Sequence, residues 1–313
     1  MEYYDKHISQ VKEIFDACKE IVSKYPKEFV ADGLKYIDKF SPIENKAGNY
    51  ICYMLPIWLQ EPFNLDRKIV NQIAMATVFK MLYFCMQDDI IDGEENEDAI
   101  RLLPLINLFF LEFNQIYQKI FPGDSEFWIY FKRYLQDWAI SIDFEKKTKH
   151  CQDINLTMED LSILAKKAAP LKLSACGACI LTDNMEYMKS LDQQIDKVLI
   201  TLQLVDDWVD KYKDLKDNSI TPVLGEIMKF SHVDTLDKLE KININKAAFF
   251  SHIPKQIESI MLEKRQEIKE LTEIDIPDLI LFNEDLIKSM EKIISNIEFR
   301  KKEILKGGFY NSI

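Results

Sequence analysis

Two short runs of aspartate, each closing a long apolar segment, are the residues of this chain whose types and spacing could do chemistry. The first is Met81-Leu-Tyr-Phe-Cys-Met-Gln-Asp-Asp-Ile-Ile-Asp92. On a helix, Asp88 and Asp92 stand four positions apart, so both project from one face about 6 Å apart along the axis, with Asp89 beside them. Met81, Phe84 and Cys85 lie beneath on that face, which puts the acids at the mouth of an apolar lining. The second run is Leu199-Ile-Thr-Leu-Gln-Leu-Val-Asp-Asp-Trp-Val-Asp-Lys-Tyr-Lys-Asp214. Asp206, Asp210 and Asp214 step by four and form a ladder, flanked by Asp207, with Leu199 and Leu202 before them on the same face. Like charges at this spacing repel by a few tenths of a kcal/mol each, so the ladder calls for a cation; Lys211 and Lys213 would neutralise it in part. For either run alone, a solvated acidic face is the competing reading.

Oxygen ligands without His or Cys select hard divalent ions, and Mg2+ takes one or two carboxylates while keeping positions open for water and substrate phosphate. A phosphate ester is therefore the expected substrate. Metal ions bridging a diphosphate would stabilise the charge that develops as it departs. For a hydrocarbon tail, what remains is an allylic cation, which the aromatic faces of Tyr83, Phe84 and Trp208 would stabilise while excluding water.

With these motifs in place, the sequence resembles the class I isoprenoid synthases, the superfamily of terpene synthases and trans-prenyl diphosphate synthases. The resemblance rests on Asp88-Asp-Ile-Ile-Asp92 and Gln203-Leu-Val-Asp-Asp-Trp-Val-Asp210. It implies that Asp88, Asp89 and Asp92 bind one part of a trinuclear Mg2+ site, and Asp206, Asp210 and Asp214 the other, with Asp88 and Asp206 at the centre of catalysis. The family's terpene synthase motif usually begins with Asn and continues with Ser or Thr and then Glu, so three aspartates are a departure. The resemblance also implies a basic diphosphate contact just before a helix break. Here Lys166-Lys-Ala-Ala-Pro-Leu-Lys172 offers Lys167, with Lys166 beside it, because Pro170 removes an amide donor and biases Ala169 out of the α region. Lys213, Arg300 and Tyr310 are further candidates for diphosphate contact, and Met81, Tyr83, Phe84, Leu199, Leu202 and Trp208 for cavity lining.

The reading drawn from this is a Mg2+-dependent class I terpene synthase that ionises a linear prenyl diphosphate, farnesyl diphosphate by preference, and cyclises or rearranges the cation. The alternative is a chain-elongating trans-prenyl diphosphate synthase. That branch carries an N-terminal Gly-Gly-Lys and later arginines, whereas this chain reads Glu44-Asn-Lys-Ala-Gly-Asn-Tyr50 and has no arginine pair after Asp92. A reading of another class is a non-catalytic helical scaffold or divalent-cation-binding adaptor with solvated acids.

The rest of the chain must position these groups. Of 313 residues, 47% are hydrophobic, enough for a large core, while Gly numbers only 8 and Pro 10, which disfavours sandwiches, barrels and glycine-fingerprint nucleotide folds. With 40 Lys and Arg against 52 Asp and Glu, the net charge of −12 makes a broad grip on nucleic acid or anionic lipid unexpected. Cys176 and Cys179 are spaced like metal ligands, but no second pair accompanies them, and small-residue helix packing is the better reading of Leu173–Ile180. The four histidines form no Glu-x-x-His, which disfavours a di-iron centre. The first residues carry acids where a signal peptide would carry positive charge, and the most apolar stretch, Leu102–Phe113, is too short to span a bilayer. The expectation is a cytoplasmic monomer or homodimer without stable membrane insertion.

Apolar residues recur at three- and four-residue spacing along the chain. This predicts an all-α, single-domain bundle over 1–313, of about eleven helices around a central apolar cavity. The helices fall near 6–24, 27–40, 44–60, 66–91, 97–120, 125–148, 157–183, 187–216, 222–230, 244–272 and 279–305.

Overall fold

A computed structural model describes residues 2–45, 50–91, 102–150, 156–271 and 273–305, and among these residues there is no strand. The α-helices are α1 Glu2–Asp5, α2 Ile8–Val22, α3 Lys27–Phe40, α4 Pro42–Asn45, α5 Tyr50–Trp58, α6 Arg67–Ile91, α7 Leu103–Ile120 and α8 Phe127–His150. They continue with α9 Leu161–Leu164, α10 Leu173–Leu181, α11 Met188–Lys216, α12 Pro222–Phe230, α13 Leu236–Glu240, α14 Ile244–Phe250, α15 Ile253–Glu270 and α16 Pro277–Leu305.

The helix expected across 157–183 is interrupted. A 3-10 turn, Met158–Asp160, leads into α9, and a 3-10 stretch, Ala165–Lys172, separates α9 from α10. Pro170 lies inside that stretch; lacking an N–H, it cannot continue the i to i−4 ladder, and the chain tightens instead. The Met158 turn opens on a capping box, in which the Thr157 hydroxyl accepts from Glu159 N and Asp160 Oδ2 accepts from Thr157 N at 2.8 Å. The helix expected over 244–272 is two helices, because Ser251 is extended and Pro254 opens a new first turn at α15.

The chain divides into two compact units. The first joins the residues up to Lys132 to Leu171–Met188 and Asp275–Leu279. Its central element is α6, apolar on every side and packed by α2, α3, α5, α7 and α10. A helix of this kind has no solvent face to present. It is long and apolar enough to cross a membrane by length and composition, which the shorter Leu102–Phe113 stretch is not, yet 61% of its most apolar window is buried within the protein. α10 fits closely here: Leu173 to Cys179 are all buried, and a Cβ on Gly177 would come within 2.9 Å of the Phe121 ring. The small residues of α10 therefore serve close packing. Phe121 and Phe127 stack with ring centroids 3.9 Å apart.

The second unit joins Arg133–Pro170 to Lys189–Ile274 and the chain from Ile280 onward. Buried Asp192 accepts from Tyr134 Oη at 2.6 Å and pairs with Arg133, tying α11 to α8. Gln194 Nε2 donates to the carbonyl of Ile274 at 3.0 Å. α12 approaches the Met158 turn so closely that a Cβ on Gly225 would lie 2.4 Å from the Leu156 carbonyl oxygen. α11 ends in a hydrogen-bonded reversal: Asn218 is left-handed with φ 52°, and Ser219 N reaches back to Asp214 O at 2.8 Å.

Candidate functional site

The first aspartate motif occupies the last turn of α6, where Asp88 and Asp89 are both half-buried. Asp92 lies outside the described residues. Beneath Asp88, Met81 is buried and Phe84 half-buried. Tyr83 turns toward α7, packing edge-on against Phe84 at 5.0 Å and Phe113 at 5.6 Å, with Phe110 at 5.4 Å. Its ring thus belongs to the α6–α7 packing rather than to the Asp88 face. Lys39, in the last turn of α3, stands 3.7 Å from Asp89 and over the rings of Tyr36 and Phe40. Burial holds the Cys85 thiol up, and Cys52, Asp88 and Asp89 add to it.

Two turns further down α6 sits Lys80, 2% exposed, with Nζ 3.3 Å from the Tyr117 hydroxyl. Burial pulls its amine down to about 7, which Cys52 opposes. Nothing in the amphipathic pattern singled this lysine out, because a charged residue inside an apolar helix reads as an exposed one.

In the second motif, helical geometry puts Asp206, Asp210 and Asp214 on one face of α11. Asp206 and Asp210 open to solvent and Asp214 is half-buried. Burial first and Asp210 second raise the Asp206 carboxyl to about 6, since the neighbouring turns withdraw part of its hydration. Burial, Asp210, Asp217 and Glu145 raise Asp214 to about 7 against the pull of Lys213. Leu199 is buried and Leu202 half-buried.

The neighbouring Asp207, expected only as a flank, proves to be the buried member. It is 3% exposed and accepts from Gln203 Nε2 at 2.7 Å, while its Oδ2 has no hydrogen-bond partner. Burial drives its carboxyl up to about 8, and Asp214, Asp206 and Glu145 add to the effect. Trp208, expected to line a cavity beneath the ladder, is buried on the far side of α11 from Asp206, two residues or about 200° around the helix. Lys211 Nζ lies 4.6 Å from the Trp208 ring centroid and donates to the Trp208 carbonyl at 2.8 Å, so it follows Trp208 rather than the ladder.

The basic candidates are distributed unevenly. Lys167 and Lys166 lie in the 3-10 stretch where a helix break was expected, and both are engaged: Lys167 with Glu145 at 3.0 Å, Lys166 with Asp137 at 3.3 Å. Lys172 is fully buried, Lys213 is exposed, and Arg300 is exposed near the end of α16. Tyr310 lies outside the described residues.

A hard divalent ion suits the donors present: carboxylate oxygens one turn apart, with a buried oxygen lacking a partner beside them. Among the described residues, no three Asp, Glu, His or Cys side chains are already gathered around one point as a metal would require. The carboxylates would have to turn toward an arriving ion.

No protein-family model matches the sequence, and no curated protein matches it either. Solved structures do. A geranylgeranyl pyrophosphate synthetase from the archaeon Geoglobus acetivorans aligns with a TM-score of 0.68 at 17% identity, over 91% of this chain and 99% of that one. A polyprenyl synthase from Caulobacter crescentus CB15, complexed with calcium and isoprenyl diphosphate, aligns with a TM-score of 0.72 at 12% identity, over 92% and 96%. The chain has the all-α isoprenoid synthase fold.

Proposed function

We propose that this protein is an enzyme that ionises an allylic prenyl diphosphate with the help of divalent cations, and that it adds the resulting chain to a second prenyl diphosphate rather than cyclising it. One observation carries the proposal: in a chain of this fold, the last turn of α6 and the C-terminal half of α11 each carry an aspartate motif of oxygen donors spaced for a hard cation. The structural neighbours, both prenyl synthases by name, favour elongation over the cyclase reading drawn from the sequence.

In this proposal Asp88, Asp89 and Asp92 supply one set of ligands to Mg2+, and Asp206, Asp210 and Asp214 another. The bound ions would supply Lewis-acid stabilisation of the departing diphosphate. Lys167 gives its ammonium to a diphosphate oxygen, with Lys166, Lys213, Arg300 and Tyr310 as outer contacts. Met81 and Phe84 meet the hydrocarbon below Asp88 and keep water from the cation. The chain from 1 to 313 acts as one catalytic domain.

A second reading, cyclisation of a single substrate, is favoured by the sequence Glu44-Asn-Lys-Ala-Gly-Asn-Tyr50, which lacks a Gly-Gly-Lys, and by the missing arginine pair after Asp92. Incubation with Mg2+ and prenyl diphosphates of ten to twenty carbons, with and without isopentenyl diphosphate, separates the two. Elongation gives longer diphosphates only when isopentenyl diphosphate is present. Cyclisation releases pyrophosphate from one substrate and leaves a volatile hydrocarbon or alcohol. Release of no pyrophosphate from any of these mixtures would overturn both.

A further inference from the structure

At the opposite end of α6 from Asp88, the first unit contains a cavity of about 730 Å3, a size that suits a small organic molecule. Its lining comes from the approach to α2, the turn between α5 and α6, and the start of α16. Arg67 lines it and opens α6, whereas Asp88 stands near the end of that helix, roughly 30 Å further along the axis. The α5–α6 turn is pinned by its own backbone. Asn64 is left-handed with φ 48°, Leu65 N donates to Gln60 O at 2.9 Å and Asn64 N to Glu61 O at 3.0 Å, which is the Schellman arrangement. Gln60, Glu61 and Leu65 are thereby fixed in the cavity wall. Gln10, 8% exposed, lines the cavity too, and its amide nitrogen donates to Gln60 Oε1 at 3.1 Å and Asn71 Oδ1 at 2.8 Å. Its amide oxygen accepts from none of the described residues, so a nine-tenths-buried side chain brings an acceptor without a donor to this wall.

The charges around the cavity are unequal. Lys6 is engaged by Asp278 at 2.7 Å, which His7 also meets at 3.1 Å, and Arg67 is paired with Glu13 at 2.8 Å. Glu61 and Asp275 line the same cavity with no ion-pair partner among the described residues. Ile57, Pro62 and Pro277 supply an apolar wall. We propose that this cavity is a second small-molecule site and that its ligand is an organic cation, with ammonium groups on a short hydrocarbon stem. The ammonium groups donate to Glu61, Asp275 and the amide oxygen of Gln10, and the stem covers the apolar wall. An anionic ligand would find both bases already neutralised. None of the residues in this argument is assigned to the diphosphate or its metals, so the inference stands apart from the proposed function.

Cadaverine, a five-carbon diamine, is the probe, with pentanediol and glutarate as neutral and anionic controls of the same length, each titrated calorimetrically into the full chain without Mg2+. Cadaverine should bind once per chain and neither control measurably, and hydrogen exchange of residues 57–67 should slow on binding. Glu61→Gln with Asp275→Asn, both at exposed positions, should bind cadaverine about tenfold more weakly or worse. If that double variant does not fold, Glu61→Gln alone takes its place, with several-fold weaker binding expected. Asp206→Asn with Asp210→Asn should bind cadaverine as tightly as the wild type. Failure of the wild type to bind cadaverine at millimolar concentration overturns the inference, as does binding of glutarate in its stead. Undiminished affinity without the Glu61 and Asp275 charges also overturns it, and loss of binding in the Asp206 and Asp210 variant would move the amine to α11.

Discussion

Gln203 Nε2 donates to Asp207 Oδ1 at 2.7 Å across one turn of α11, while the adjacent Asp206 faces solvent. Neighbours in sequence, the two carboxyls have opposite surroundings, and Asp207 is held inside by a bond that satisfies only one of its oxygens. A buried carboxyl in this position favours its neutral form.

Replacing Asp207 with Asn should therefore stabilise the cation-free protein. The folded-state value of about 8 lies above the unfolded value of about 3.9. The folded state thus holds the proton more tightly, and the stability this contributes is complete below pH ~4 and lost as pH rises through ~8. Asn loses nothing over that window. The variant should gain steadily on the wild type as pH rises from ~4 to ~8, as read from urea melts at stepped pH. A constant difference would show that Asp207 is ionised in the folded protein.

Asp88→Asn and Asp206→Asn should each cut turnover by a hundredfold or more, because each removes a charged ligand from the proposed ions. Cation-free melting temperatures should be equal to the wild type or slightly higher, since each change removes like-charge repulsion. Full activity in either variant would remove that aspartate from the mechanism.

Lys80→Met should stabilise the protein at neutral pH. Burial lowers the folded-state amine to about 7, while the unfolded chain keeps its proton to about 10.4. The folded state must either give up a proton or bury a charge, so the penalty is full below pH ~7 and fades as pH rises to ~10.4. The variant should gain up to roughly 4 kcal/mol at pH 7 and little at pH 10. Equal stability of the two proteins at pH 7 would mean that Tyr117 and its surroundings compensate the buried amine in full.

Element boundaries were most legible where turn chemistry is local. The expected spans 27–40 and 222–230 coincide with α3 and α12, which open beside Pro26 and Thr221-Pro222. The break at Ser251-His252 was hidden because the helical periodicity runs through it, although Pro254 signals a new start. α13, capped by Thr235, is too short to build a period. Both aspartate motifs could be read on helices from the four-residue step alone. Which aspartate is buried could not, because the inner face of α11 is set by Leu204, Trp208 and Leu215 and takes Asp207 with it. Lys39 reaches Asp89 from α3 and Glu145 engages Lys167 from α8, and one sequence carries no sign of such tertiary pairings.

Phe84→Ala should lengthen the preferred chain by at least one five-carbon unit. The ring lies one turn below Asp88 and is braced edge-on by Tyr83 at 5.0 Å, and a close-packed wall does not yield that depth without strain. Chromatography of the products formed from farnesyl and geranylgeranyl diphosphates reads the shift. An unchanged product length would place the floor of the pocket elsewhere.

The Cys85 thiol has a practical consequence. Its ionisation is suppressed by burial, by Cys52 and by the very carboxylates, Asp88 and Asp89, that would receive a cation. Burial comes first among these influences, and no charge placed on the carboxylates removes it. The last turn of α6 therefore pairs its carboxylates with a thiol that stays protonated and slow to oxidise, and thiol-modifying reagents should leave this end of the helix untouched while the protein is folded.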